Sequence, residues 1–132
     1  MKYLAIDYGT VRVGVAISRL FLAEPIVVLD RATAVEKLIT LIHEEQPDAL
    51  VLGIADGPMV EEGRAFVKEL NSKLKKPLQI IEVDETLSSV ETQQKMRQSG
   101  MPKMKRRGSM DHYAAAAFLQ YFIDTQKEEH AF

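Results

Sequence analysis

The hydrophobic pattern changes period along this chain, and that change limits the fold more than any other feature. Val11, Val13, Val15 and Ile17 recur at every second residue, the spacing of a strand with one buried face. Lys2 to Ile6 is also strand-prone, so the two runs read as a hairpin joined through Asp7-Tyr8-Gly9-Thr10, which has the Gly and Asp that a tight reversal uses. Ile26 to Leu29 reads as a third short strand. The period then becomes helical: Thr33 and Glu36 match a capping box, and Val35, Leu38, Ile39 and Ile42 follow until Pro47. Ala49 to Leu52, closed by Gly53, has the form of a buried parallel strand. Phe66, Val67, Leu70 and Leu74 mark a second helix, and Leu78 to Val83 a further strand. Ser88 and Glu91 suggest a short polar helix to about Ser99, Gly100 to Gly108 a loop, and a last helix runs from about Ser109 to Lys127. Hairpin-linked strands followed by alternating helices and strands predict an α/β fold. Its sheet would be five-stranded and mixed, the first three strands antiparallel and the rest parallel, with helices on both faces.

At 132 residues the chain is expected to form a single domain, 1–132. It has no cysteine, which removes disulfides, thiolate nucleophiles and Cys-based zinc sites and fits a reducing compartment. MKYLAI is no signal-peptide pattern, and the longest apolar stretch, Tyr113 to Ile123, contains Gln120 and is too short to span a bilayer. A cytoplasmic protein without membrane contact is expected, its oligomeric state, monomer or homodimer, left open. A net charge of −2 argues against a general polyanion binder. The run KMRQSGMPKMKRR nevertheless carries Lys95, Arg97, Lys103, Lys105, Arg106 and Arg107 with no acid between them. It reads either as a solvated loop or as a phosphate-binding surface. His43, His112 and His130 are scattered, no nucleophile elbow surrounds Ser88-Ser89, and neither a Walker loop nor G-x-G-x-x-G occurs.

Three acidic positions carry the chemistry. Asp111 heads a stripe of Ala114, Ala115, Phe118, Leu119 and Phe122 at helical offsets. An inward carboxylate must be paired, hydrogen-bonded or metal-bound; the alternative is a cap in the first helical turn. Asp7 ends the first strand, with Gly9 and Gly14 nearby in IDYGTVRVGVAI, and glycine within a strand often marks close approach by a ligand or another backbone. Its Asp-x-Gly-Thr order is similar to the phosphate loop of actin-like ATPases, which are two-domain and far longer. Asp84 and Glu85 lie at the polar end of an apolar strand, where side chains point to opposite faces, so at most one of them faces a site there directly. In parallel sheets ligands gather at the carboxyl ends of strands, and carboxylates converging there suit Mg²⁺ or Mn²⁺. The competing explanation is an unrelated set of caps and turn residues.

Four segments, IDYGTVRVGVAIS, QPDALVLG, VDETLSSVET and RRGSMDHYAAAAFL, together resemble the YqgF family, also called RuvX, across essentially the whole chain. The resemblance implies a ribonuclease H-like fold and a metal-dependent nuclease, with Asp7, Glu85 and Asp111 as catalytic metal carboxylates and Asp84 behind them. It also implies a nucleic-acid substrate. Precursor small-subunit ribosomal RNA is favoured, with four-way DNA junctions or a silent binding module on the same fold as alternatives. Lys103, Lys105, Arg106 and Arg107 would then guide the polyanion. Two positions depart from the family pattern. Thr86 stands where Asp-Glu-Arg is usual, which removes a forked donor. The middle loop reads Gly53-Ile54-Ala55-Asp56-Gly57-Pro58 in place of Gly-Leu-Pro.

Overall fold

The structure, a computed structural model, describes residues 1–55, 57–84 and 110–129, the side chains of 110–113 and 127–129 excepted. Strands β1 (Tyr3–Tyr8), β2 (Arg12–Arg19) and β3 (Leu22–Asp30) lead through a 3₁₀ turn, Arg31–Thr33, into α1 (Ala34–Glu45). Then follow β4 (Ala49–Ile54), α2 (Met59–Ser72), β5 (Gln79–Asp84) and α3 (Met110–Glu129). The strands form one five-stranded sheet in the order β3-β2-β1-β4-β5. β1, β2 and β3 pair antiparallel, whereas β4 pairs parallel with both β1 and β5. This is the mixed sheet the change of period predicts.

Both faces of the central strands are covered, which is why β1 and β4 are nearly continuous apolar runs. Leu4, Ile6, Leu50 and Leu52 pack with Leu38 and Ile42 of α1 and Phe66, Val67 and Leu70 of α2. Tyr3, Ala5, Ala49 and Val51 point the other way, against Ala115, Ala116, Phe118 and Leu119 of α3. The run of alanines lets α3 lie close to the sheet. Gln120 fastens it to the outer hairpin, accepting a hydrogen bond from the Ala23 N–H at 2.8 Å and donating to the Phe21 carbonyl at 3.0 Å. Among the described residues no helix is long and apolar enough to cross a membrane.

Several boundaries differ from the expectation, each for a local reason. β1 runs on through Asp7 and Tyr8, which pair with Gly14 and Val13, so the reversal is made by Gly9 to Arg12 instead. Val11 sits at its tip, 68% exposed, and leaves the buried face to Val13, Val15 and Ile17. β3 is longer than Ile26–Leu29 because the second hairpin turns on Leu20, held at φ 59°, a left-handed conformation that no residue type announces. Thr33 makes no side-chain cap: the preceding 3₁₀ turn feeds α1 directly, with the Ala34 N–H bonded to the Arg31 carbonyl. At the other end Gln46 adopts φ 49°, and its N–H closes on the Ile42 carbonyl at 2.8 Å just before Pro47. The expected helix from Ser88 to Ser99 and the loop from Gly100 to Gly108 lie outside the described residues.

Candidate functional site

Asp7 is half-buried in the last part of β1, on the face that α3 covers. The sheet register gives it distinctive neighbours. On one side it pairs with Gly14 of β2; on the other, the parallel register that matches Ile6 with Leu52 brings Gly53 of β4 alongside it. Neither flank carries a side chain of its own, and glycine within a strand marks close approach by a ligand or another part of the chain. Gly53 is glycine for a further reason: a Cβ there would run into the ring of Phe118. Phe118 thus rests directly on the strand beside Asp7.

Gly9 has a different cause. A Cβ on it would meet the Arg12 carbonyl oxygen at 2.7 Å, and its N–H donates to that same oxygen at 2.9 Å. The close approach at Gly9 is therefore made by the hairpin's own backbone, whereas Gly14 stands opposite Asp7.

Helix α3 brings its first turn towards the same end of the sheet. Tyr3, at the start of β1, touches Phe122 edge-on at 5.0 Å and donates from its hydroxyl to Gln126 at 2.8 Å. Phe118 lies one turn earlier, over Gly53 at the far end of β4. The helix therefore runs antiparallel to β1, and its N-terminal turn, which includes the backbone of Asp111, lies at the Asp7 end. The side chain of Asp111 is outside the description, as are Glu85, Thr86, Lys103, Lys105, Arg106 and Arg107. Asp84 is described: it ends β5 opposite Ile54, exposed, on the α1/α2 face shared with Glu82 and away from that of Asp7. Among the described residues no three His, Cys, Asp or Glu side chains form a group that could hold a metal. Of the three carboxylates read from the sequence as metal ligands, Asp7 is thus the one whose side chain is described, and an oxygen donor of this kind suits Mg²⁺ or Mn²⁺.

Tyr8, the next residue, belongs to the opposite face. Its ring lies 4.9 Å from that of Phe66, with the Arg31 guanidinium 4.9 Å from its centroid. Burial raises the pKa of its hydroxyl, against the pull of Arg31. Sequence reasoning passed over Gly53, Phe118 and Tyr8 as site neighbours. Gly53 reads as a strand end, and only the parallel register, which a sequence does not display, sets it next to Asp7.

The protein from Lawsonia intracellularis named "Putative pre-16S rRNA nuclease" is 34% identical over 98% of this chain and 97% of its own length. A relative of the same name from Methylobacillus flagellatus is 35% identical over 92% of this chain and 89% of its own. In three dimensions the chain superposes on T. thermophilus RuvC, solved in complex with a Holliday junction substrate, with a TM-score of 0.64 at 13% identity over 96% of both chains. The fowlpox virus Holliday junction resolvase gives 0.60 at 12% identity, over 95% of this chain and 99% of that one. The likeness to these two is one of fold, the ribonuclease H-like fold of RuvC. The family profile described as "RuvX: Holliday junction resolvase" matches residues 1–125, and with relatives this similar along almost their full length the chain belongs to the RuvX family.

Proposed function

We propose that this protein is a metal-dependent nuclease that hydrolyses phosphodiester bonds in precursor small-subunit ribosomal RNA, in the cytoplasm. The observation that carries the reading is Asp7, flanked by Gly14 and Gly53 at the carboxyl end of β1, with the first turn of α3 at the same end. The names of the full-length relatives support ribosomal RNA as the substrate. Asp7, Glu85 and Asp111 would hold Mg²⁺ or Mn²⁺, which when bound supplies Lewis-acid polarisation of a phosphoryl oxygen and an acidified water. The chain's own contribution is placement. Asp7 fixes one carboxylate on a strand locked between two neighbours, with Gly14 beside it and Phe118 seated over Gly53 on the other flank. Asp84, on the other face, is left with at most a supporting part. Lys103, Lys105, Arg106 and Arg107 would hold the RNA backbone through contacts that weaken as salt rises.

The family description favours a second reading, cleavage of four-way DNA junctions. A third, a binding module without catalysis, draws on Thr86 and the altered loop after Gly53. One experiment separates them: labelled precursor ribosomal RNA fragments and four-way junctions are incubated with wild type and Asp7→Asn, with Mg²⁺, Mn²⁺ or chelator. The expected result is RNA cleavage that needs metal and disappears in Asp7→Asn while the variant's melting temperature is kept. Junction cleavage alone would shift the substrate to DNA. Full cleavage by Asp7→Asn would remove Asp7 from the site.

A further inference from the structure

A groove of about 510 Å³ lies between the last turns of α1 and the segment that joins α2 to β5. Both lining segments, 39–47 and 73–78, fall wholly within the described residues. The sheet fixes the groove's place. Pro47 and Leu78 in its lining stand just before Ala49 and Gln79, the paired first residues of β4 and β5. Asp7 lies towards the far end of β1, which runs parallel to β4, and on the face that α3 covers. We propose that this groove docks an acidic peptide segment of a partner protein, with the segment's aliphatic side chains on the floor and its carboxylates against the lysines at the rim. The docking site goes beyond the nuclease reading and does not depend on it.

Two features of opposite kind coincide here. The floor is aliphatic, with Ile39 and Ile42 on the α1 side and Leu74 and Leu78 on the other. Ile39, Leu74 and Leu78 pack on the core behind them yet keep part of their surface exposed. Covering such surface stabilises a bound segment by about 25 cal/mol per Å². The rim is basic. Lys73, Lys75 and Lys76 are exposed, and among the described residues no Asp or Glu lines the groove. Lys2, Arg19, Arg31 and Arg64 each reach a carboxylate within 3.4 Å, whereas Lys73, Lys75 and Lys76 form no ion pair with a described carboxylate. As the C-cap of α2, Lys73 has a task within the fold, since a cation there complements the helix dipole. Lys75 and Lys76 lie beyond the helix and have no such task. Rim charges of one sign steer a partner of the opposite sign and reject one of the same sign.

The lining also selects a peptide over a nucleic acid. A single strand is held by bases stacked on aromatic rings as well as by cations on its phosphates, and the described lining has no Phe, Tyr or Trp. Ile39, Ile42 and Gln46 fall on one stripe of α1, a wall of about two turns, or roughly 10 Å. A peptide with aliphatic anchors at helical spacing runs along such a wall. Because the groove and Asp7 occupy opposite ends and opposite faces of the sheet, a docked partner leaves Asp7 uncovered and acts by placing the protein.

The test uses the full chain and two fluorescein-labelled synthetic peptides, read by fluorescence anisotropy. One carries leucines at i, i+3 and i+7 among glutamates; the other has serine in place of each leucine. The leucine peptide should bind, and the serine peptide should bind about tenfold more weakly. A variant with both Lys75→Glu and Lys76→Glu should weaken the leucine peptide about tenfold, and should bind a version with lysine in place of glutamate that the wild type rejects. Both positions are exposed, so this variant should keep the wild-type melting temperature. Amide ¹⁵N shifts on adding the leucine peptide should change within 39–46 and 73–78. A leucine peptide that fails to saturate, that binds the double variant as tightly as the wild type, or that shifts amides elsewhere instead overturns the docking site. Equal binding of the serine peptide overturns it as well, leaving charge alone. A uridine oligonucleotide that binds the wild type and not the double variant, with no leucine peptide bound, would overturn it in favour of an RNA contact.

Discussion

At the scale of single residues, the consequential pair is Gly53 and Phe118. The ring occupies the space a Cβ would need, so Gly53→Ala forces either the strand or α3 to move. Overpacking of this kind costs about 1–3 kcal/mol, and a fall of that size is expected in denaturant unfolding of the variant. Adding Phe118→Leu should recover part of the loss; an unchanged midpoint in Gly53→Ala alone would show that the helix yields freely. Glu45 gives a prediction in pH. Hydrogen bonds from Lys2, with that from Arg19, hold its carboxyl below the ordinary 4.5, against the opposing effect of burial. A depressed folded pKa means that this stabilisation is fully present above pH 4.5 and is lost as pH falls through the folded value. Glu45→Gln should therefore unfold more readily at neutral pH and show a shallower decline in acid, as followed by thermal melts from pH 7 downwards. Residue identity announced Asp7 as a candidate, because an acid before Gly-Thr at a strand end stands out. Its glycine flanks became visible only with the register, and Gly9, which looked like a ligand-facing glycine, serves its own hairpin.

Among the elements, α3 is held in a different way from α1 and α2. Its buried residues are Ala115, Ala116 and Ala117 with Phe118, Leu119 and Ile123, so a flat alanine patch lies beside the bulkier anchors. Gln120 adds a polar fastening by bonding both the Phe21 carbonyl and the Ala23 N–H beside the hairpin tip. Gln120→Ala leaves both groups without that partner and should cost about 1–3 kcal/mol, with faster hydrogen exchange at the Ala23 amide as the local sign. A melting temperature equal to wild type would mean that the alanine face suffices. The helices and central strands were legible in the sequence because each carries an unbroken period. Ends were less so. The 3₁₀ turn before α1 made the apparent capping box idle. The left-handed Leu20 gave β3 an earlier start than any turn-forming residue suggested, since tertiary pairing overrode local preference.

In the molecule as a whole, a mixed five-stranded sheet with helices on both faces followed from alternation, whereas the order of strands and the assignment of one face to α1 and α2 and the other to α3 came only with the structure. Of the candidate site, Asp7 was legible as an acid at a strand end, while its neighbours Gly14 and Gly53 follow from the sheet register, which no periodicity encodes. That same geometry has a consequence for how the protein comes into being on the ribosome. The hairpins, β4, α1 and α2 are complete by Ser72, yet Tyr3, Ala5, Ala16 and Val51 stay uncovered until residues 115–123 have been translated and have folded back. A chain stopped before Met110 should therefore bind a hydrophobic dye and aggregate, whereas the full chain should do neither; a monomeric, dye-silent fragment would contradict this. On the proposed function, Asp111 would arrive on the same late helix as the covering alanines, so that the folded interior and the proposed site are completed in a single closing event. A nuclease of that kind would be harmless for most of its own birth.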